Sequence, residues 1–217
     1  MIINIFLDNK KSWFCKKSVN LKNKIIFLGH KCSICYDYQK IPHNSDITFF
    51  LSCEKYIGRE IRDKSKHSIV IHASDLPKGK GMSPTTWQII EKKNKIPVTL
   101  FEISDGFDEG DYYLKDSFEL NGTELMDEWQ NKLYECIEKM AIDFIKGVDK
   151  LKPIKQTGQA SIYKRRTQVD SELDINKSIK SQFNLLRVVD NEKYPAFFKY
   201  KNCKYILKIY KEKKDLI

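Results

Sequence analysis

The chain has 217 residues, 41% of them hydrophobic and 12% aromatic, and a formal net charge of +10 at pH 7. That balance excludes a disordered or fibrous polypeptide, and the length suits one domain with an appendage or two small ones. No run of about 18 apolar residues occurs, which argues against a membrane-spanning helix.

The first residues, Met1-Ile2-Ile3-Asn4-Ile5-Phe6-Leu7-Asp8, lack a basic n-region and a small-residue cleavage site. They read as a first strand of a cytoplasmic protein rather than a signal peptide. Lysines are scattered, denser at Lys10-Lys11, Lys16-Lys17, Lys92-Lys93 and residues 211–214, with no RNA-binding motif and no basic-aromatic stripe. The charge therefore reads as solvated surface that steers an anionic small molecule, with no nucleic acid and no membrane as partner.

In chain order, residues 2–7, 24–28, 47–51 and 69–72 are short apolar or β-branched runs that suit strands of a covered sheet. Between the first two, residues 13–19 are shorter and less regular. Cys32-Ser33-Ile34-Cys35, preceded by His30, is a single pair where a structural zinc site needs four ligands, so it reads as reduced thiols without metal. Residues 54–64 suit a helix. Another is opened by Ser83 at the N-cap and Pro84 at the first helical position, buries Trp87, Ile89 and Ile90, and ends before Asn94 and Pro97. Residues 97–103 and 112–120 follow as strands. The clearest helix covers 123–148, where Leu125, Trp129, Leu133, Cys136, Ile137, Met140, Phe144 and Ile145 recur at three- and four-residue steps. Pro153 and the polar residues 155–161 mark a boundary. Beyond it lie a helix (178–189) and two strands (195–200 and 204–209) turning at Asn202. The expected fold is α/β: a core of residues 1–150 and an α+β appendage of residues 151–217 with a helix and a β-hairpin. The apolar residues Phe197, Phe198 and Ile206 of that appendage suit packing within the chain or a homodimer equally.

The most informative stretch is Ile69-Val70-Ile71-His72-Ala73-Ser74-Asp75-Leu76-Pro77-Lys78-Gly79-Lys80-Gly81-Met82-Ser83-Pro84. It reads as a buried strand ending on histidine, a Gly/Lys loop and a helix start, at the sheet edge where open α/β folds bind small molecules. Val70 and His72, two apart on a strand, share a face. A histidine ending a strand is by itself more often structural. Here Gly79 and Gly81 let backbone N–H groups approach a ligand, and Lys78, Lys80 and the helix N-terminus favour an anion. A second segment, Ser104-Asp105-Gly106-Phe107-Asp108-Glu109-Gly110-Asp111, is acidic and glycine-rich without the EF-hand ligand pattern. It reads as a solvated turn or as the source of a carboxylate that orients a histidine.

Taken together, the two segments resemble the formyltransferases that use N10-formyltetrahydrofolate, the family of methionyl-tRNA and glycinamide ribonucleotide formyltransferases. That family's pattern is Asn-x-His on a strand, a Ser-x-Leu-Pro loop with a basic-Gly element, and an Asp-x-Gly loop. Here Ile71-His72-Ala73-Ser74-Asp75-Leu76-Pro77 and Phe107-Asp108-Glu109-Gly110 match the second and third parts, 108 − 72 = 36 positions apart. The loop, with Trp87 and the tail segments Tyr163-Lys164-Arg165-Arg166, Leu185-Leu186-Arg187 and Tyr194-Pro195-Ala196-Phe197-Phe198, is similar to the sugar-nucleotide N-formyltransferases. The likeness extends over roughly residues 45–209.

The resemblance implies a Rossmann-like core and formyl transfer from N10-formyltetrahydrofolate, without metal. The acceptor it implies is the 4-amino group of a UDP-linked dideoxy sugar, of the pseudaminic acid type, for surface glycans. His72 is implied as the base and Asp108 as its orienting carboxylate. The pterin is implied near Ile57 and Gly58 and against Ser104, Asp105 and Gly106. For the sugar nucleotide the candidates are Ser74, Lys78, Gly79, Lys80, Gly81, Arg166, Gln182 and Arg187. The chain departs from the family at Val70, where an asparagine is expected to help bind the formyl oxygen. That departure motivates a non-catalytic folate or nucleotide-binding alternative; a second alternative is formylation of another amine such as methionyl-tRNA.

Overall fold

The computed structural model describes residues 1–212, so Lys213 and Lys214 of the basic run lie outside the described residues. Its core is a six-stranded sheet of β1 (Ile2–Phe6), β2 (Lys31–Cys35), β3 (Ser45–Phe50), β4 (Ser65–His72), β6 (Lys95–Glu102) and β7 (Tyr112–Glu119), ordered β2-β1-β3-β4-β6-β7. Strands β1 to β4 are parallel, and β6 runs antiparallel to both β4 and β7. The chain leaves β1 for β2 on one side and returns to β3 on the other. The crevice past the C-terminal ends of β1 and β3 is therefore the switch point where doubly wound sheets take ligands. This is a Rossmann-like core.

Strand periodicity explains which side chains reach that crevice. Ile3, Ile5 and Leu7, then Ile47, Phe49 and Leu51, then Ile69, Ile71 and Ala73 alternate onto one face and build the main core. That face is covered by α1 (Phe14–Phe27) and α4 (Met126–Gly147). Helix α4 contributes Trp129, Leu133, Ile137, Met140 and Phe144, each buried, and each such side chain stabilises by about 1.5–3 kcal/mol. Phe6, Phe50, Val70 and His72 point the other way. The first three pack with Ile57 and Ile103 in a smaller cluster.

Several elements differ from the sequence reading. Residues 24–28, expected as a strand, are the end of α1: Phe14, Leu21 and Ile25 follow helical spacing, while Phe27 is 91% exposed. The second strand is instead β2, whose polar sequence KCSIC masks it. It carries Cys32 and Cys35 three positions apart, hence on opposite faces. Burial pushes the Cys32 thiol up to about 11, Lys22 opposing it and Cys35 adding to it. Residues 54–64 form only the single turn α2 (Arg59–Arg62), because Asp8 Oδ2 holds the Glu54 and Lys55 N–H groups at 2.6 and 2.9 Å in an extended loop. Ser83 stands at the N-cap of α3 (Pro84–Ile90) but has φ 56° and makes no side-chain cap bond, so Pro84 alone carries the start signal.

After α4 the chain returns across the core. Its strand β8 (Ile162–Tyr163) pairs in parallel with β5 (Lys80–Gly81), inside the loop that follows His72. Helix α5 (Ile179–Leu186) and the hairpin β9 (Ala196–Tyr200) and β10 (Cys203–Leu207) complete the appendage. Phe197 is 2% exposed within the chain, whereas Ile206 is 53% exposed. Among the described residues, no helix is long and apolar enough to cross a membrane.

Candidate active site

His72 ends β4 with its side chain 11% exposed. Its Nε2 lies 2.9 Å from the Gly79 carbonyl oxygen. A carbonyl only accepts, so Nε2 carries the proton and Nδ1 is the basic nitrogen of the neutral ring. The Asp108 carboxylate, also 11% exposed, lies 3.9 Å from the same Nε2. Asp108 has φ 53°, a left-handed conformation that aspartate tolerates better than most non-glycine residues. Its Oδ2 accepts the Gly81 N–H at 2.9 Å.

The loops bearing these two residues are tied to each other and to the tail. Lys80 Nζ reaches Glu109 Oε1 at 2.8 Å. Gly79 N–H donates to Ser161 Oγ at 2.9 Å, and Lys80 N–H to the Ser161 carbonyl at 2.9 Å. Gly81 has φ +97°, and a Cβ there would sit 2.3 Å from the Tyr163 carbonyl oxygen, so only glycine admits β8. Trp87 Nε1 donates to the Lys164 carbonyl at 2.7 Å. At the far end of the acidic loop, Arg62 pairs with Asp105 and reaches the Ile103 carbonyl at 3.5 Å.

These elements enclose a cavity of about 510 Å³ at the switch point. His72, Asp108 and Gly81 line it together with Ile57, Ser104, Gly106 and Arg166, so the structure gathers seven of the sequence candidates in one place. Val70 lines it as well, paired in register with Phe50 and Phe101.

Other candidates are placed elsewhere. Arg187 is 1% exposed, ion-paired to Glu124 at 3.1 Å and bonded to the Glu124 carbonyl, so its guanidinium is consumed by the core and cannot grip a phosphate. Gln182 folds back on Asp174, accepting its N–H at 2.7 Å and donating to its carbonyl at 3.0 Å. Ser74, 2% exposed, is buried beneath the Gly79 turn. Lys80 is spent on Glu109, and Asp105 on Arg62. Lys78, Gly79 and Gly58 lie beside the cavity without lining it. Arg166 reaches the cavity, but its Nη atoms hold the Val188 and Asp170 carbonyls at 2.9 and 3.2 Å.

As site residues, sequence reasoning missed Trp13, Trp129, Gln130, Arg165, Lys193 and Tyr194, which line the cavity from four separate regions of the chain. Of these, Trp129 carried a signal in its place on the helical apolar stripe, and Arg165 and Tyr194 in the tail segments similar to the sugar-nucleotide N-formyltransferases. The thiol of Cys53 also lines the cavity; burial pushes it up, Asp8 adding to the effect, so it stays protonated.

Residues 38–145 match the family model described as formyl transferase. Among curated proteins, the methionyl-tRNA formyltransferase of Ehrlichia ruminantium (strain Gardel) is 25% identical over 162 residues, 74% of this chain and 52% of that protein. The chain thus spans about half the length of the curated relatives it matches. Three solved structures share the fold. A methionyl-tRNA formyltransferase from Clostridium thermocellum has a TM-score of 0.77 at 22% identity, over 98% of this chain and 94% of that one. A 4-N formyltransferase from Francisella tularensis scores 0.66 at 20% identity, with 98% of each chain covered. HypX from Aquifex aeolicus in complex with tetrahydrofolic acid scores 0.74 at 18% identity, over 96% of this chain and 37% of that one.

Proposed function

We propose that this chain, whose residues 38–145 match the formyl transferase family model and whose fold is shared with formyltransferases of known structure, moves a formyl group from N10-formyltetrahydrofolate to an amine. The acceptor in this reading is the 4-amino group of a UDP-linked dideoxy sugar. The observation that carries it is the His72–Asp108 pair opening onto the switch-point cavity. The neutral amine attacks the formyl carbon, forming a carbon–nitrogen bond and a tetrahedral oxyanion. Nδ1 of His72 takes a proton from the attacking nitrogen and delivers it to N10 of the folate as that carbon–nitrogen bond breaks. Asp108 stabilises the imidazolium in between. The products are the N-formyl sugar and tetrahydrofolate.

Support for the folate comes from the family match, from the tetrahydrofolic acid complex of a protein of this fold, and from a wall of Ile57, Ser104 and Gly106 beside Phe107. Support for a sugar nucleotide comes from a structure of a sugar N-formyltransferase from Shewanella sp FDAARGOS_354, which shares the fold with 99% of each chain covered, and from cavity cations suited to a diphosphate. Those are Lys11, Lys55 and Lys193, while Arg165 is paired with Glu54 at 2.8 Å and Arg166 is held by backbone carbonyls. They replace Lys80, Gln182 and Arg187 as the substrate-facing set. The methionyl-tRNA relatives favour a second acceptor, initiator methionyl-tRNA.

Incubation with N10-formyltetrahydrofolate and UDP-4-amino-4,6-dideoxy-N-acetylaltrosamine, read by mass spectrometry, tests the proposal. The expected outcome is a mass gain of one formyl group. Formylation of methionyl-tRNA in its place would replace the acceptor and keep the chemistry. Tight folate binding with no formylated product on either acceptor would leave a binding protein.

A further inference from the structure

The polar segment after α4, which the sequence offers as a mere boundary, reaches directly into the acidic loop. Gln156 Nε2 lies 3.1 Å from the Asp108 carbonyl oxygen and 2.7 Å from that of Gly110. An amide nitrogen has two hydrogens, and both are used on these two carbonyls, which flank Glu109. Gln156 Oε1 is buried without a partner among the described residues. The opposite amide orientation would turn that oxygen onto two carbonyls, so the donors must face the loop. Position 156 is itself fixed two residues earlier, where Ile154 and Tyr112 exchange N–H···O bonds of 2.8 and 2.9 Å.

The loop needs such a hold. Arg62 fixes its beginning at Ile103 and Asp105. The Glu102 N–H to Asp111 carbonyl bond of 2.9 Å closes its end. At Gly110 a Cβ would fall 1.6 Å from the Glu102 carbonyl oxygen, which leaves the chain no other path there. Between these anchors Asp108 adopts its left-handed φ of 53°, which aspartate tolerates better than most residues but does not take up by preference. We infer that Gln156 is a positioning residue, whose carboxamide holds the Asp108 backbone so that its carboxylate stays beside His72. The inference rests on the proposed role of that pair.

The test is a double-mutant cycle in the full chain. Gln156→Ala should lower kcat about tenfold with KM for either substrate little changed, since loss of alignment acts on the transition state. Placed on Asp108→Asn, the same change should lower kcat no further. Gln156→Glu should be at least as slow at neutral pH, with a carboxylate facing two carbonyls. Gln156→Met, which keeps the length without the donors, takes the place of alanine if that variant does not fold. An equal loss of kcat in both backgrounds, or no loss in either, overturns the inference. If the unaltered protein forms no product on any acceptor, the functional reading fails, and NMR decides the inference separately. With only four histidines in the chain, the His72 ring resonance can be followed. A shift on Gln156→Ala that matches the shift on Asp108→Asn supports the positioning role, and an unmoved resonance overturns it.

Discussion

At His72 one ring proton faces two oxygens, the Gly79 carbonyl at 2.9 Å and the Asp108 carboxylate at 3.9 Å. The backbone contact fixes which nitrogen is basic, and the carboxylate lies on the side of the other. His72→Asn should therefore abolish formyl transfer while leaving the thermal midpoint within a few degrees, checked by product assay beside calorimetry. Two positions earlier, Val70 shares a cluster with Phe6, Phe50 and Ile57, an environment built for an apolar side chain. An amide there would donate toward the formyl oxygen, and one such donor is worth roughly a hundredfold in other acyl transfers. Val70→Asn is accordingly expected to raise kcat, at some loss of stability from burying the amide. An unchanged kcat would mean that the oxyanion is held elsewhere. The spacing of Val70, His72 and Asp108 was open in the sequence because strand alternation and two short loop motifs encode it locally. The link from Gly79 to His72 was not, since it depends on how the loop closes.

Strands and the long helix were legible wherever apolar residues alternate or recur at helical steps, as in β1, β3, β4 and α4. They were misread where burial departs from hydrophobicity. The apolar run 25–28 has one buried residue in Ile25, while the polar β2 pairs with β1 through its backbone and through Ser33 Oγ donating to Asn4 Oδ1 at 2.7 Å. Least legible was β8, two residues whose partner β5 lies about 80 positions earlier and whose only sequence mark is the permissive Gly81 opposite. That glycine gives an element-level test. Gly81→Ala meets both a positive φ and the Tyr163 carbonyl at 2.3 Å, whereas Gly158→Ala meets a similar φ of +108° with nothing within 4 Å. In urea unfolding, Gly81→Ala should lose more than about 1 kcal/mol and exceed Gly158→Ala, which carries the conformational strain alone. Equal losses would show that β8 does not need the close approach.

Across the whole molecule, the appendage is locked to the core by Arg187 of the α5 end and Glu124 ahead of α4. Arg187 Nη2 pairs with Glu124 Oε2 at 3.1 Å, Lys132 with Oε1 at 2.9 Å, and Trp129 Nε1 donates to the Arg187 carbonyl at 3.1 Å. Burial pushes the Glu124 carboxyl up, but the Asn121 N–H and the Lys132 ammonium outweigh it and hold the group at about 2. A folded value below the unfolded one of about 4.3 means this stabilisation is complete above that value and lost as pH falls toward 2. Glu124→Gln should flatten that acid limb of the stability curve. At neutral pH it should cost about 3–5 kcal/mol, because it leaves a buried guanidinium short of its counter-charge. Stability measured by denaturant between pH 2 and 7 in both proteins checks the two statements together.

The crossing of residues 154–166 over both loops also sets an order of birth. Asp108 leaves the ribosome 166 − 108 = 58 residues before Arg166, which at 5–20 residues per second is some 3–12 s. For the first 156 − 108 = 48 residues of that interval, until Gln156 follows, the emerging chain holds His72 and Asp108 with nothing from the tail on their loops. A messenger cut short after α4 therefore yields a polypeptide that keeps the direct Gly81–Asp108 and Lys80–Glu109 links but lacks the ties that Gln156, Ser161 and Tyr163 add to the two loops.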